Sequence, residues 1–277
     1  MIPKVIHYFW FGGGELSPIM KKCIESWRKF APDYEIKEWN ESNFNVNYCD
    51  YTRKAYEEKK YAFVADVASL DVIYRLGGIY MDVDVELLKP IDELLKYEDG
   101  WMCFMNERFI NTGIGFAAPP KCNLIKYLLE NYKSMEFNLK RGIFNKVCTQ
   151  IETEAIMKMY STFKRNNKLQ RMNDGVVFLP TGINEDYLLH YGAGTWCDRE
   201  NNGGEAPGEY KDTRIKRILR NPKIFIFIQK NFGEKAEYIY EFLTYDLIDM
   251  GLFYYIKRII KRFKRKIELS IFKKLER

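Results

Sequence analysis

Asp82 and Asp84 stand one residue apart, between Tyr80 and Glu86. In an extended chain Tyr80, Asp82, Asp84 and Glu86 would line one side and Ile79, Met81, Val83 and Val85 the other. Three carboxylates on one face repel each other. A hard divalent cation removes that repulsion, because Mg2+ and Mn2+ take carboxylate oxygens and bridge to substrate phosphates. These positions are therefore read as a cation site built on Asp82 and Asp84. The alternative is an edge strand with a solvated acidic face. What precedes the carboxylates argues against that alternative, since residues 61–76 are almost wholly apolar and must be buried.

The elements that position these carboxylates follow from the pattern around them. Residues 61–76 predict a buried helix, and Gly77-Gly78 closes it because glycine takes the left-handed angles of a C-terminal cap. Asp66 and Ser69 are three apart on one helical face, Asp71 and Arg75 four apart on another. The second pair is read as a structural ion pair. Asp66 is read as a hydrogen-bond acceptor for a ligand, since a buried carboxylate needs a partner. Residues 4–11 predict a first strand ending in Trp10 and the turn Gly12-Gly13-Gly14, with His7 packed inside it. Ser17-Pro18 opens a helix, and residues 34–39 form a second strand. Further strands are expected at 101–105, 114–117 and 176–179, with helices at 52–60, 90–95, 121–134 and 149–160. Ligands in open α/β sheets of this kind sit beyond the carboxyl ends of the strands.

The run Ala65-Asp66, then Tyr74-x-x-Gly77-Gly78-Ile79-Tyr80-x-Asp82-x-Asp84, resembles the DXD signature of glycosyltransferase family 32. That family holds capsular polysaccharide transferases, yeast-type mannosyltransferases and, more distantly, large toxin glucosyltransferases. The resemblance is close over the first hundred residues and loose beyond. It implies a GT-A type fold, a Rossmann-like, mixed, mainly parallel sheet flanked by helices. It also implies Mn2+ or Mg2+ on Asp82 and Asp84, and transfer of a hexose from a nucleotide diphosphate sugar, UDP-linked by analogy, with retention. Trp10 falls on the tryptophan that stacks on the donor base in the toxin relatives. Asp66 and Tyr80 are placed at the donor sugar, and Asn111 matches a family asparagine near it, with a turn-forming role as the alternative. Ser69 replaces the family's arginine, so a different or roomier sugar subsite is expected. The segment His190-Tyr-Gly-Ala-Gly-Thr195-Trp196 resembles a late His-x-x-x-Gly-Ser-Trp motif. It makes His190 a further metal candidate, with Thr195 and Trp196 closing over the pyrophosphate. Thr149-Gln150-Ile151 departs from the family's Thr-Gly-Pro.

Composition bounds the rest. The chain has 277 residues and a net charge of +6, but residues 252–277 hold ten Lys and Arg against two Glu, net +8, so the remainder is −2. Phe253, Ile256, Ile260, Phe263, Ile267, Ile271 and Leu275 step by three or four along that tail. The pattern is a basic amphipathic helix suited to an anionic membrane surface. Packing on the body or on a homodimer partner is the alternative, and nucleic acid is not expected. Residues 1–248 are assigned to the transferase domain and 249–277 to the tail. Six cysteines without paired spacing read as reduced thiols. The sequence shows neither an apolar signal core nor an apolar run of about 18 residues. The expected location is the cytoplasmic side of a membrane, peripherally bound, with a lipid-linked glycan as acceptor. Two other functions fit less of the pattern: a non-catalytic nucleotide-sugar or glycan-binding module, and a haloacid-dehalogenase-type phosphatase with Asp82 as nucleophile.

Overall fold

A computed structural model describes residues 1–137 and 148–192. All of them belong to one compact unit, Met1–Gly204. Thr195, Trp196, the polar loop at 198–210 and the tail at 249–277, with the proposed boundary at 248, lie outside the described residues.

Seven strands make the central sheet: β1 (Val5–Phe9), β2 (Glu35–Trp39), β3 (Gly78–Tyr80), β5 (Trp101–Cys103), β6 (Phe116–Ala118), β7 (Gln170–Arg171) and β8 (Val177–Leu179). They lie in the order β2-β1-β3-β6-β5-β8-β7. β1 pairs parallel with β2 and β3, and β5 pairs parallel with β8, while β6 and β7 run against their neighbours. Five of the seven strands thus share a direction, as the expected mixed, mainly parallel α/β architecture requires. β4 (Val85–Leu87) and β9 (Leu188–His190) form a separate antiparallel pair.

Alternation along each strand sends side chains into two different cores. Phe9, Tyr80, Met102, Phe116 and Phe178 enter one, with the helices α3 (Tyr61–Leu76), α4 (Asn123–Lys133) and α5 (Cys148–Met159). Ile6, Tyr8, Ile79, Trp101, Val177 and Leu179 enter the other, with α1 (Pro18–Phe30). α1 begins as its sequence predicts, with Pro18 in the first turn and the Ser17 hydroxyl accepting from the Met20 amide at 3.4 Å. On its inner face Trp27 Nε1 donates to the Val85 carbonyl at 2.8 Å, and the Ser26 hydroxyl accepts from the Leu87 amide at 2.8 Å. α1 therefore fixes β4. Two further short elements are α2 (Asp50–Glu57) and α6 (Thr181–Asn184), and a 3-10 turn covers Asp92–Lys96.

The single strand expected from Ile79 to Glu86 is corrected: β3 ends at Tyr80, a turn carries Asp82 and Asp84, and β4 starts anew at Val85 in the smaller sheet. The alternation still holds, since Ile79, Met81, Val83 and Val85 all enter the second core. The physical reason for the break is partner choice. Past Tyr80 the chain leaves β1 and finds β9, Val85 opposite His190. Among the described residues no helix is long and apolar enough to cross a membrane.

Candidate active site

Gly77 and Gly78 decide where the carboxylates arrive. Gly77 has φ +68 and its amide closes α3 on the Ile73 carbonyl at 2.8 Å. Gly78 has φ +108, and a Cβ there would lie 2.8 Å from the Val5 carbonyl and 2.9 Å from His7 Nε2. Only glycine permits that approach. β3 then enters the sheet beside β1 with Tyr80 opposite His7, so Asp82 emerges at the same carboxyl edge as Trp10. β6 runs the other way, with Phe116 opposite Tyr80, which brings the preceding loop, Asn111 to Gly113, to that edge too. The Asp82 amide donates to the Gly113 carbonyl at 3.0 Å.

The carboxylates do not all stay together. Asp82, Asp84 and His190 converge, with one potential ligand atom from each all within 4.8 Å of one another. His190 Nε2 lies 3.4 Å from Asp84 Oδ1 and 3.8 Å from Asp82 Oδ2. Tyr80 donates its hydroxyl to Asp82 Oδ1, which leaves Oδ2 facing the imidazole. Glu86 turns instead to Lys22 Nζ at 2.8 Å and the Tyr191 hydroxyl at 2.5 Å. Its expected place on the acidic face is corrected on that account. The Tyr191 amide also donates to the Asp84 carbonyl at 3.0 Å, so the strand bearing His190 is tied to the carboxylate turn on both sides.

Electrostatics in the cluster are those of charges crowded together where burial limits their solvation. Burial and then the Asp84 charge raise the Asp82 carboxyl, while His190 and Tyr80 pull it back. Burial works against charge on His190, but the hydrogen bond and charge of Asp84 prevail and raise it. Asp66, on α3 behind them, is pushed up to about 8 by burial and by the Asp82 charge, against a hydrogen bond from Cys148. Two carboxylates and an imidazole gathered this closely fit Mn2+ or Mg2+, and a cation there would relieve the repulsion between Asp82 and Asp84.

The other expected site residues fall in different places. Trp10 is half-buried at the edge of the sheet, its Nε1 donating to the Gly14 carbonyl at 2.5 Å. Ser69 is 1 % exposed and donates its hydroxyl to the Asp66 carbonyl at 3.0 Å, so the structure does not bring it to the open side of the site. Asn111 is buried, and its Oδ1 accepts from the Gly113 amide at 2.9 Å; it shapes the turn. His7 and the pair Asp71–Arg75 are structural, as expected, the latter at 2.8 Å.

Sequence reasoning missed Gly113, Thr112, Glu152 and Thr153. A Cβ on Gly113 would overlap Asp82 Oδ2 and lie 3.1 Å from Asn111 Oδ1. Glu152 is fully buried on α5, with Tyr132 donating to Oε1 at 3.3 Å and no hydrogen-bond partner at Oε2. An acidic residue in the run Gln-Ile-Glu-Thr-Glu gives no signal in sequence that it faces inward.

Residues 18–101 match a family model described as a glycosyltransferase sugar-binding region containing a DXD motif. Inositol phosphoceramide mannosyltransferase 3 of Schizosaccharomyces pombe is 32% identical over 125 residues, 42% of this chain and 33% of that protein. Inositol phosphoceramide mannosyltransferase 1 of the same yeast is 26% identical over 137 residues, 47% of this chain and 42% of that one. The chain thus spans less than half the length of these curated relatives. Among solved structures, the PaToxG glycosyltransferase aligns with TM-score 0.45 at 19% identity, over 57% of this chain and 70% of that one. A glycosyltransferase involved in glycosylation of the PBCV-1 major capsid aligns with TM-score 0.32 at 12% identity, over 57% and 78%. The DXD-motif glycosyltransferase character expected from the sequence is borne out over residues 18–101.

Proposed function

From a chain that carries a DXD-containing glycosyltransferase region, we propose that the protein moves a hexose from a nucleotide diphosphate sugar to a hydroxyl of a glycan or lipid-linked acceptor. The observation that carries this reading is the convergence of Asp82, Asp84 and His190 at the carboxyl edge of the sheet. A bound Mn2+ or Mg2+ would offset the negative charge that grows on the departing diphosphate. Tyr80 holds Asp82 in one rotamer through Oδ1. Tyr191 and β4 hold His190 against Asp84. Asp66 supplies an acceptor or donor for sugar hydroxyls, according to its protonation, and Trp10 a face for the base.

A UDP-linked hexose is the first donor to test on the family resemblance, and mannose the first sugar on the names of the yeast relatives. Transfer with retention, a place in capsular or surface polysaccharide synthesis, and peripheral attachment to the cytoplasmic face of a membrane complete the proposal. The test is a screen of nucleotide sugars by thermal shift and donor hydrolysis, with and without Mn2+. At least one donor is expected to stabilise the protein only with the cation. Asp84→Asn is expected to lower turnover by about 100-fold or more while the melting profile persists. Full activity in EDTA would exclude the cation.

A further inference from the structure

The loop that carries the Asp82 anchor is itself held from behind by two adjacent residues of α5. Thr153 accepts the Ile110 amide on its Oγ1 at 2.9 Å, and both residues are buried. Glu152 accepts the Tyr132 hydroxyl on Oε1 at 3.3 Å, and Thr112 of the loop lies beside its carboxyl. Between these grips the chain makes a tight passage: the Asn111 amide donates to the Cys103 carbonyl at 3.0 Å, and Asn111 Oδ1 closes on the Gly113 amide. Gly113 then accepts the Asp82 amide and lies flat against Asp82 Oδ2.

We infer that Glu152 and Thr153 are positioning residues, a clamp on the loop at 110–113 that sets where Asp82 stands for cation binding. The inference rests on the reading of Asp82, Asp84 and His190 as a cation site. A buried carboxyl with one unpartnered oxygen is a costly choice for mere packing, where an apolar side chain of the same volume would serve. Burial, followed by the charge of Asp66, raises the Glu152 carboxyl well above its ordinary range. What the geometry uses of Glu152 is its Oε1, which takes the Tyr132 hydroxyl between α4 and α5. The role asks for a hydrogen-bonding group of glutamate's shape and not for its charge.

The experiment uses the full chain with Thr153→Val, Thr153→Ser, Glu152→Leu and Glu152→Gln, and reads two quantities. The first is amide hydrogen exchange at 81–85 and 108–114 without metal; the second is Mn2+ affinity from the spin-resonance signal of free Mn2+. Thr153→Val and Glu152→Leu are expected to speed exchange at both segments about tenfold and weaken Mn2+ about tenfold. Thr153→Ser and Glu152→Gln are expected to stay within about twofold of the parent. If the Val and Leu variants show parental exchange and parental Mn2+ affinity, the clamp is refuted and the cation site stands. If exchange responds as expected but the parent binds no Mn2+, the cation site is refuted and the clamp on the loop stands. Equal effects of Glu152→Gln and Glu152→Leu would refute a hydrogen-bonding role for Glu152. Thr153→Val, isosteric and conservative for folding, decides the clamp even if Glu152→Leu does not fold.

Discussion

Asp82 has its two oxygens assigned to different tasks. Oδ1 takes the Tyr80 hydroxyl, while Oδ2 faces His190 with Gly113 packed against it. A methyl at residue 113 would press on the end of a side chain and not on backbone, so Asp82 rotates away at little cost to the fold. Gly113→Ala is therefore expected to weaken Mn2+ about tenfold while shifting the melting temperature by no more than a few degrees. Titration of Mn2+ alongside a thermal melt checks both, and parental affinity would show that Asp82 does not hold the ion through Oδ2. At this scale the sequence disclosed the charged residues and not their neighbours. Asp82 and Asp84 announce themselves by type and spacing, and His190 by its place in a motif. Gly113 was invisible because its role is the absence of a side chain next to a residue 31 positions earlier. Ser69 was legible as a departure from a family pattern, yet its burial against the Asp66 carbonyl depends on how tightly α3 is enclosed.

Elements were legible where their own periodicity decides them. α1 opens where Ser17-Pro18 places it, and α3 and α4, read from apolar spacing, lie close to their expected spans. The division of the expected acidic strand into β3 and β4 was not legible, because Val83 and Val85 keep the alternation going through the turn. The partner of β4 lies a hundred residues on, in β9, and local pattern carries no information about it. The junction of β1, β2 and α3 shows what such non-local contacts cost and secure. His7 accepts from Trp39 Nε1 on Nδ1 at 3.1 Å, leaving Nε2–H to donate to the Gly77 carbonyl at 3.0 Å. This arrangement needs the neutral ring, and burial lowers its protonation to about 4 from an ordinary 6.5. Because the folded value is depressed, the unfolded chain binds the proton first. The contribution is whole above pH 6.5 and is lost as pH falls towards 4, by about 3 kcal/mol at most. Denaturant melts between pH 7.5 and 4.5 are expected to show a steeper loss for the parent than for His7→Gln. The difference between the two chains removes the opposing contribution of the raised carboxyls on Asp66, Asp82 and Glu152, which stabilise the fold as pH falls. Parallel curves would mean that His7 takes up its proton as readily in the folded protein as in the unfolded chain.

At the scale of the whole chain, charge is distributed in a way the described fold does not use. Residues 252–277 carry net +8 and the rest −2, while the proposed cation site in the compact unit is acidic. A transferase whose acceptor is carried on a lipid gains from being held at the membrane, because confinement near a surface raises the local acceptor concentration. Each Lys or Arg close to an anionic surface contributes roughly 1 kcal/mol, falling off within a Debye length of about 8–10 Å. Half of the tail's net charge would then give roughly 4 kcal/mol of salt-sensitive attraction, with the stripe from Phe253 to Leu275 entering the interface. Deleting residues 252–277 is expected to abolish sedimentation with anionic vesicles and to leave donor hydrolysis in solution within about twofold of the parent. Raising salt from 0.1 to 0.5 M should release the intact chain from the same vesicles, since screening shortens the reach of each charge. Binding that is indifferent to anionic lipid would remove the electrostatic anchor. A truncated chain that is insoluble, or one that changes from dimer to monomer in sedimentation, would assign the stripe to the body or to a second copy instead.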